Sequence, residues 1–175
     1  MKTIGLFTNQ GVNKLAPFVE REMVLPVAIG HDVLVRVEAI SVNPVDLKRR
    51  ASVSSRKSEF EVLGWDAAGT VEAIGELVTS FKHGDRVFYA GDITRSGSNA
   101  QFHLVDERII ALAPKNLTLA QAAALPLTAL TAYEALFDRL GIGKYPGPDQ
   151  ENLLVIGGAG GVGSIAIQLA KLAGR

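Results

Sequence analysis

Three glycines near the end of the sequence, Gly158, Gly160 and Gly163, have the spacing G-x-G-x-x-G within the run Gly157–Gly163. That spacing does chemistry only in context. A buried strand must lead into it and an apolar helix must follow, so that phosphate oxygens meet the free N–H groups of the helix N-terminus. Both neighbours are expected here. Leu153-Leu154-Val155-Ile156 is a continuous apolar run, the pattern of a strand buried on both faces, and Ser164–Ala173 carries Ile165, Ile167, Leu169 and Leu172 at helical spacing. In such a loop Gly158 makes the tight turn, Gly160 lets the backbone approach a pyrophosphate, and Gly163 permits close packing of helix on strand, with Gly161 and Val162 between them. The alternative is a glycine-rich turn that holds no ligand.

Other reactive side chains are few. The sequence has no cysteine, so disulfides and thiolate-based zinc or iron–sulfur sites are excluded. The three histidines, His31, His83 and His103, show no metal-ligand spacing and read as single, solvent-facing or internally satisfied residues. Eighteen basic residues balance eighteen acidic ones in 175, which argues against nucleic-acid binding by phosphate neutralisation and against a polybasic membrane adaptor. The N-terminus does not read as a signal peptide, and no window has the length and apolarity of a membrane span. The expectation is a cytoplasmic protein acting on a small-molecule substrate, with no nucleic acid and no membrane as partner.

The elements that must position these groups fall into two regimes. Up to about Val105 the pattern is alternating and β-rich: Asp32–Ala39 places Val33, Val35, Val37 and Ala39 on one face, and further strands are expected at Ala67–Ile74, Arg86–Ala90 and Gln101–Val105. Turn signals separate them at Gly75-Glu76, His83-Gly84-Asp85 and Ser96–Asn99, and Val42-Asn43-Pro44 reads as a turn as well. After Pro114 the pattern becomes helical. Thr118 is an N-cap, Pro126 ends or restarts the helix, a longer helix is expected over Thr128–Leu140 with Gly141 as its cap, and Gly141–Asp149 is a loop. In a dinucleotide fold the residue that reads the adenine ribose lies about 20 positions beyond the glycines. The sequence reaches Arg175 before that point, so it is expected to be the N-terminal part of a larger protein, and NAD versus NADP is not read directly.

A set of phrases in this order resembles the medium-chain dehydrogenase/reductase superfamily, and within it the quinone-oxidoreductase branch with its zinc-type alcohol dehydrogenase subgroup. They are A-I-S-V-N-P-V-D at 39–46, L-G-W-D-A-A-G at 63–69, H-G-D-R-V at 83–87, Y-A-G-D at 89–92, G-S-N-A-Q-F-H-L-V-D-E-R at 97–108, A-A-A-L-P-L-T-A-L-T-A-Y-E-A-L at 122–136, and the glycine loop. The resemblance implies a fold that is mainly β followed by α/β. Residues 1–126 would form a GroES-like β-barrel domain, and 127–175 a hinge helix and the truncated start of a Rossmann domain. It also implies NADPH as cofactor, by family habit rather than by any residue, and a homo-oligomer. A fragment of this extent is expected to bind NADPH weakly or not at all, and to dimerise or pack abnormally through Leu153–Ile156.

Carried over position by position, the resemblance places Asn43 where zinc-dependent members have a cysteine and Trp65 where they have a histidine, so no zinc is expected. Asn43 would approach the nicotinamide ribose or the substrate oxygen, its alternative being a turn asparagine. Lys48 stands where many quinone reductases have a tyrosine; a buried ammonium there would donate a proton to a developing enolate or hydroquinone, while the plainer reading of Lys48-Arg49-Arg50 is surface charge. Trp65 and Asp66 would border the cleft, Phe88 and Tyr89 would lie toward the same end as a lid, and Thr131 would approach the nicotinamide from the hinge helix. Asp46 and Arg86 read as structural. The implied activity is hydride transfer from NAD(P)H to quinones, activated alkenes or carbonyls. The alternatives are a zinc-type alcohol dehydrogenase or a non-catalytic member of the same fold.

Overall fold

The structure, a computed structural model, describes residues 1–7, 17–53, 60–143 and 152–174. They divide into two compact units, Met1–Ala124 and Leu125–Arg175. The first unit is mainly β and carries a three-stranded antiparallel sheet of β1 (Lys2–Phe7), β2 (Val19–Glu22) and β4 (Phe60–Val62), in the order β2-β1-β4. A five-stranded antiparallel sheet combines β3 (Asp32–Ser41), β5 (Asp66–Ile74), β6 (Arg86–Ala90), β7 (Phe102–Asp106) and β8 (Ile110–Leu112), in the order β7-β3-β5-β6-β8. An isolated Thr3–Ala100 bridge ties β1 to the segment that leads into β7. The mainly β character expected of the first unit therefore holds.

The four strands with alternating sequence patterns are present within a residue or two of their expected ends. Val33, Val35, Ala67, Val71, Val87, Tyr89 and Val105 build the central core. Leu34, on the opposite face from Val33, is buried too, so the first half of β3 is covered on both sides. Helix α1 (Pro44–Val53) follows β3 directly, where only a turn was expected at residues 42–44. Proline at the first helical position suits the fixed φ of the helix, and the Asp46 carboxylate accepts from the backbone N–H of Asn43 at 2.7 Å. Asp46 is thus structural, as is Arg86, whose guanidinium donates to the Leu117 carbonyl. Helix α2 (Leu119–Ala123) starts with a reciprocal cap between Thr118 and Gln121 and lays Ala122 and Ala123 against Ala68 and Ala113.

The second unit holds α3 (Pro126–Tyr133), a π-helical turn over Glu134–Arg139, and α4 (Gly161–Leu172). One continuous helix was expected over Thr128–Leu140. Instead the last turn widens, with the Leu140 N–H reaching the Ala135 carbonyl, and Gly141 at φ 68° ends it. Ala132 and Leu136 pack against Ala166 and Ala170 of α4. The expected strand Leu153–Ile156 is not formed: Leu153 packs on this small core, but Leu154 and Ile156 are 84% and 90% exposed. A strand exists through its ladder, and among the described residues none lies beside this segment to supply one. Most of the expected loop at 141–149 falls outside the described residues.

Candidate functional site

In the first unit, the start of α1 and the start of β5 bring two of the expected residues into contact. Asn43, the residue before Pro44, donates from Nδ2 to Asp66 Oδ2 at 2.8 Å, and both side chains are buried, Asp66 completely. A carboxylate only accepts, so the amide nitrogen must face Asp66, which fixes the orientation of the Asn43 side chain. Trp65 precedes Asp66 and is 7% exposed, its backbone carbonyl accepting from the Gly91 N–H at 3.0 Å. Asn43, Trp65 and Asp66 are therefore grouped at one end of the sheet. Asp46 lies close by. Burial pushes its carboxyl above the ordinary carboxylate range, against the opposing effect of the N–H groups of Asn43 and of its own backbone.

Lys48 does not join this group as a buried acid. It is exposed on α1, as expected of a helix face turned to water, and its neighbours in the basic run are engaged elsewhere. Arg49 places Nη2 and Nε at 2.8 and 3.1 Å from Glu61 Oε1, and Arg50 lies over the Phe18 ring. Tyr89 is not a lid either: it is 2% exposed, part of the central core, and Phe88 packs against the alanines under α2. Strand alternation puts Tyr89 inward because its partner across β5 is Ala67, a small buried residue that leaves room for the ring. A cavity of about 590 Å³ flanks α1, lined by Ile4, Phe18, Val37, Ile40, Leu47 and Leu63 among others; neither Asn43, Lys48, Trp65 nor Asp66 lines it.

The three histidines all have partners within the chain. His31 Nδ1 is 2.7 Å from Glu107, His83 Nδ1 meets the Glu72 carbonyl, and His103 is buried between Tyr89 and Ser96. Among the described residues no three His, Asp or Glu side chains converge as a metal site needs. At Asn43 and Trp65, where the resemblance implies a cysteine and a histidine in zinc-dependent members, this chain has an amide committed to a carboxylate and an indole, and these do not fit a zinc ion.

In the second unit the glycine loop leads into α4. Gly157, rather than Gly158, takes the left-handed turn, at φ 75°. Gly158 instead faces Ile167, and Gly160 is the N-cap residue, without a side chain to cap the helix. The first-turn N–H groups at Gly161, Val162 and Gly163 thus meet no capping side chain, the condition under which a phosphate is held by backbone alone. Gly163 is buried, and a Cβ there would stand 2.4 Å from the Gly157 carbonyl oxygen, so only glycine lets the helix seat against the loop. Thr131 is exposed on α3 with its hydroxyl donating to the Leu127 carbonyl at 2.7 Å, the helix-internal use of a threonine. These residues suit a dinucleotide phosphate; the residues that would read its ribose are not among them.

Residues 30–119 match the family model for the alcohol dehydrogenase GroES-like domain. A zinc-type alcohol dehydrogenase-like protein from Staphylococcus epidermidis is 47% identical over 175 residues, covering 99% of this chain and 52% of its own length. An NADPH-dependent alkenal/one oxidoreductase from Arabidopsis thaliana, a chloroplastic protein, is 40% identical over 162 residues, or 87% of this chain and 40% of its own. The crystal structure of Escherichia coli quinone oxidoreductase complexed with NADPH superposes with a TM-score of 0.78 at 31% identity, covering 99% of this chain and 50% of that one. The chain spans about half the length of the curated relatives it matches. More than half of its residues fall inside the family match, and this chain belongs to the alcohol dehydrogenase GroES-like domain family, within the medium-chain dehydrogenase/reductase superfamily.

Proposed function

We propose that this chain is part of an NAD(P)H-dependent oxidoreductase that acts without zinc on quinones or activated alkenes and carbonyls. Residues 1–126 would be its substrate-side domain and 127–175 the opening of its cofactor domain. The observation that carries the reading is the loop at Gly157–Gly163, closed down on α4 by a glycine that admits no Cβ and followed by an uncapped helix N-terminus. The names of the Arabidopsis and Escherichia coli relatives support NADPH and a conjugated electrophile. A reduced nicotinamide, when bound, supplies the hydride for such a substrate.

The chain's own residues bind and orient. The N–H groups at Gly161, Val162 and Gly163 hold phosphate, and Thr131 stays a helix residue unless its hydroxyl leaves Leu127. Asn43, with one N–H committed to Asp66, keeps its carbonyl oxygen as an acceptor for a ribose hydroxyl and its second N–H as a donor for a substrate carbonyl. Trp65 supplies an apolar wall beside the pair, and Lys48 contributes positive charge at the surface. A cytoplasmic homo-oligomer completes the proposal.

The test is NADPH oxidation by the complete polypeptide with a panel of quinones and α,β-unsaturated carbonyls after exhaustive chelation. Turnover that survives chelation supports the reading. Activity lost with the chelator and restored by zinc, or alcohol oxidation in place of reduction, would overturn it.

A further inference from the structure

His103 is 4% exposed, and both of its ring nitrogens are engaged. Nε2 lies 2.8 Å from the Ser96 carbonyl oxygen, which only accepts, so Nε2 carries the proton. Burial pushes the imidazole down to about 4, so the ring is neutral and Nδ1 is left as an acceptor. The Tyr89 hydroxyl, 3.0 Å away and itself held un-ionised by burial, must then donate to Nδ1. The charged neighbour is Arg95, in the same connection as Ser96, and its guanidinium is paired with Asp32 of β3 at 2.8 Å.

This short relay ends on the connection that holds the segment before Asp66. Directly after Ser96, the N–H groups of Gly97, Ser98 and Asn99 donate to the carbonyls of Val62, Gly64 and Leu63 at 2.9, 3.1 and 2.9 Å. Gly91, at the other end of the same connection, donates to the Trp65 carbonyl and packs so closely on His103 that a Cβ would come within 3.2 Å of its ring. The stretch 62–65 is thus clamped from both ends of a connection that one imidazole touches at Ser96 and at Gly91, and that the Arg95–Asp32 pair and the Ile4 N–H on the Asn99 carbonyl also hold. Asp66, the next residue, holds the Asn43 amide.

We propose that His103 is a positioning residue for the Asn43–Asp66 pair: through Ser96 and Gly91 it fixes the backbone that presents Trp65 and Asp66, with the Tyr89 hydroxyl fixing its ring. The functional weight of this device rests on the reading of Asn43 and Asp66 given above, but its physical test does not.

The test uses this chain with the variants His103→Leu, His103→Gln and Tyr89→Phe, each shown to be folded by far-UV circular dichroism. Two native-state readouts are taken: the side-chain amide resonances of Asn43, assigned by their loss in Asn43→Ala, and the emission of Trp65, the sole tryptophan. In the parent chain the Asn43 amide should show one proton shifted downfield by the carboxylate. His103→Leu should lose that shift and move Trp65 emission to the red. His103→Gln, which keeps an N–H for the Ser96 carbonyl, should restore most of both, and Tyr89→Phe should give a partial loss. If His103→Leu does not fold, the milder Gln and Phe variants carry the comparison. Folded variants whose denaturation midpoint falls while the Asn43 resonances and Trp65 emission stay at parent values would overturn the proposal, since His103 would then only stabilise. Failure of the functional reading looks different: Asn43→Ala and Asp66→Ala in the complete polypeptide would leave NADPH oxidation unchanged, with the His103 effects on Trp65 still present.

Discussion

Replacing glycine by alanine in the cofactor loop should have opposite consequences two residues apart. At Gly161, the first residue of α4, a Cβ would meet only the Thr128 side chain, with its methyl at 3.1 Å, a contact that a shift of a few tenths of an ångström relieves. Alanine gains up to about 1 kcal/mol over glycine in a helix interior, and Gly161→Ala, at the first helical position, should realise part of that gain. At Gly163 the Cβ would stand 2.4 Å from the Gly157 carbonyl oxygen and 2.8 Å from the Gly158 Cα, both backbone atoms that yield only if the whole loop withdraws. Overpacking of this kind costs roughly 1–3 kcal/mol, which exceeds the helical gain and leaves Gly163→Ala destabilised by about 1–2 kcal/mol. Hydrogen exchange of the amides over Ile165–Leu172 reads the difference locally. Gly163→Ala should exchange on the order of tenfold faster than the parent and Gly161→Ala no faster, because 1.4 kcal/mol is about tenfold in an opening equilibrium. Equal protection in the two variants would refute the claim that Gly163 is kept for contact rather than for flexibility.

Stability should fall in mild acid because of His103. Its ordinary value of 6.5 applies in the unfolded chain, while the folded chain holds it near 4. Above about pH 6.5 neither state binds the proton; below it the unfolded state does and the folded state refuses it, so stability is lost as pH falls toward 4. Urea denaturation followed by Trp65 emission should show a loss of about 2 kcal/mol between about pH 7.5 and about pH 5. His103→Gln should flatten that slope, and a parent chain equally stable at both pH values would contradict the assignment. The cap of α2 makes a smaller claim: Thr118→Ala removes a reciprocal pair with Gln121 and should cost roughly 1 kcal/mol in the same assay, without moving the native Trp65 emission.

The strands that were legible in the sequence are those whose burial is local. β3, β5, β6 and β7 alternate because one face meets the core, and the pattern shows regardless of partner. β2, with the sequence Val-Glu-Arg-Glu, and β8, with two exposed residues of three, are strands only because β1 and β6 offer them a ladder, and nothing in their composition announces it. The opposite error occurs at Leu153–Ile156. Its apolar run records burial that neighbouring strands must supply, and the pattern cannot distinguish a segment that has them from one that does not. Helix α1 was missed despite a readable signal. Asn43-Pro44 followed by Asp46 is a helix start as well as a turn, and the weak apolar periodicity of Pro44–Val53 hid the choice.

The candidate site was legible in a different sense. Asn43, Trp65 and Asp66 drew notice through family phrases, and their spacing alone says nothing of the contact between an amide and a carboxylate 23 positions apart. That contact alters the chemistry. A free asparagine turns its donors and its acceptor either way, whereas one with an N–H committed to a buried carboxylate offers its oxygen and its remaining N–H in fixed directions. Asp66 is itself buried completely, so removing Asn43 would strand part of its hydrogen bonding, and removing Asp66 would free the amide to flip. The two residues therefore act as one group. In place of the metal ligands that the resemblance implies for zinc-dependent members, this chain has an amide–carboxylate pair, Asn43 just before α1 and Asp66 at the start of β5, on a backbone that His103 keeps in place.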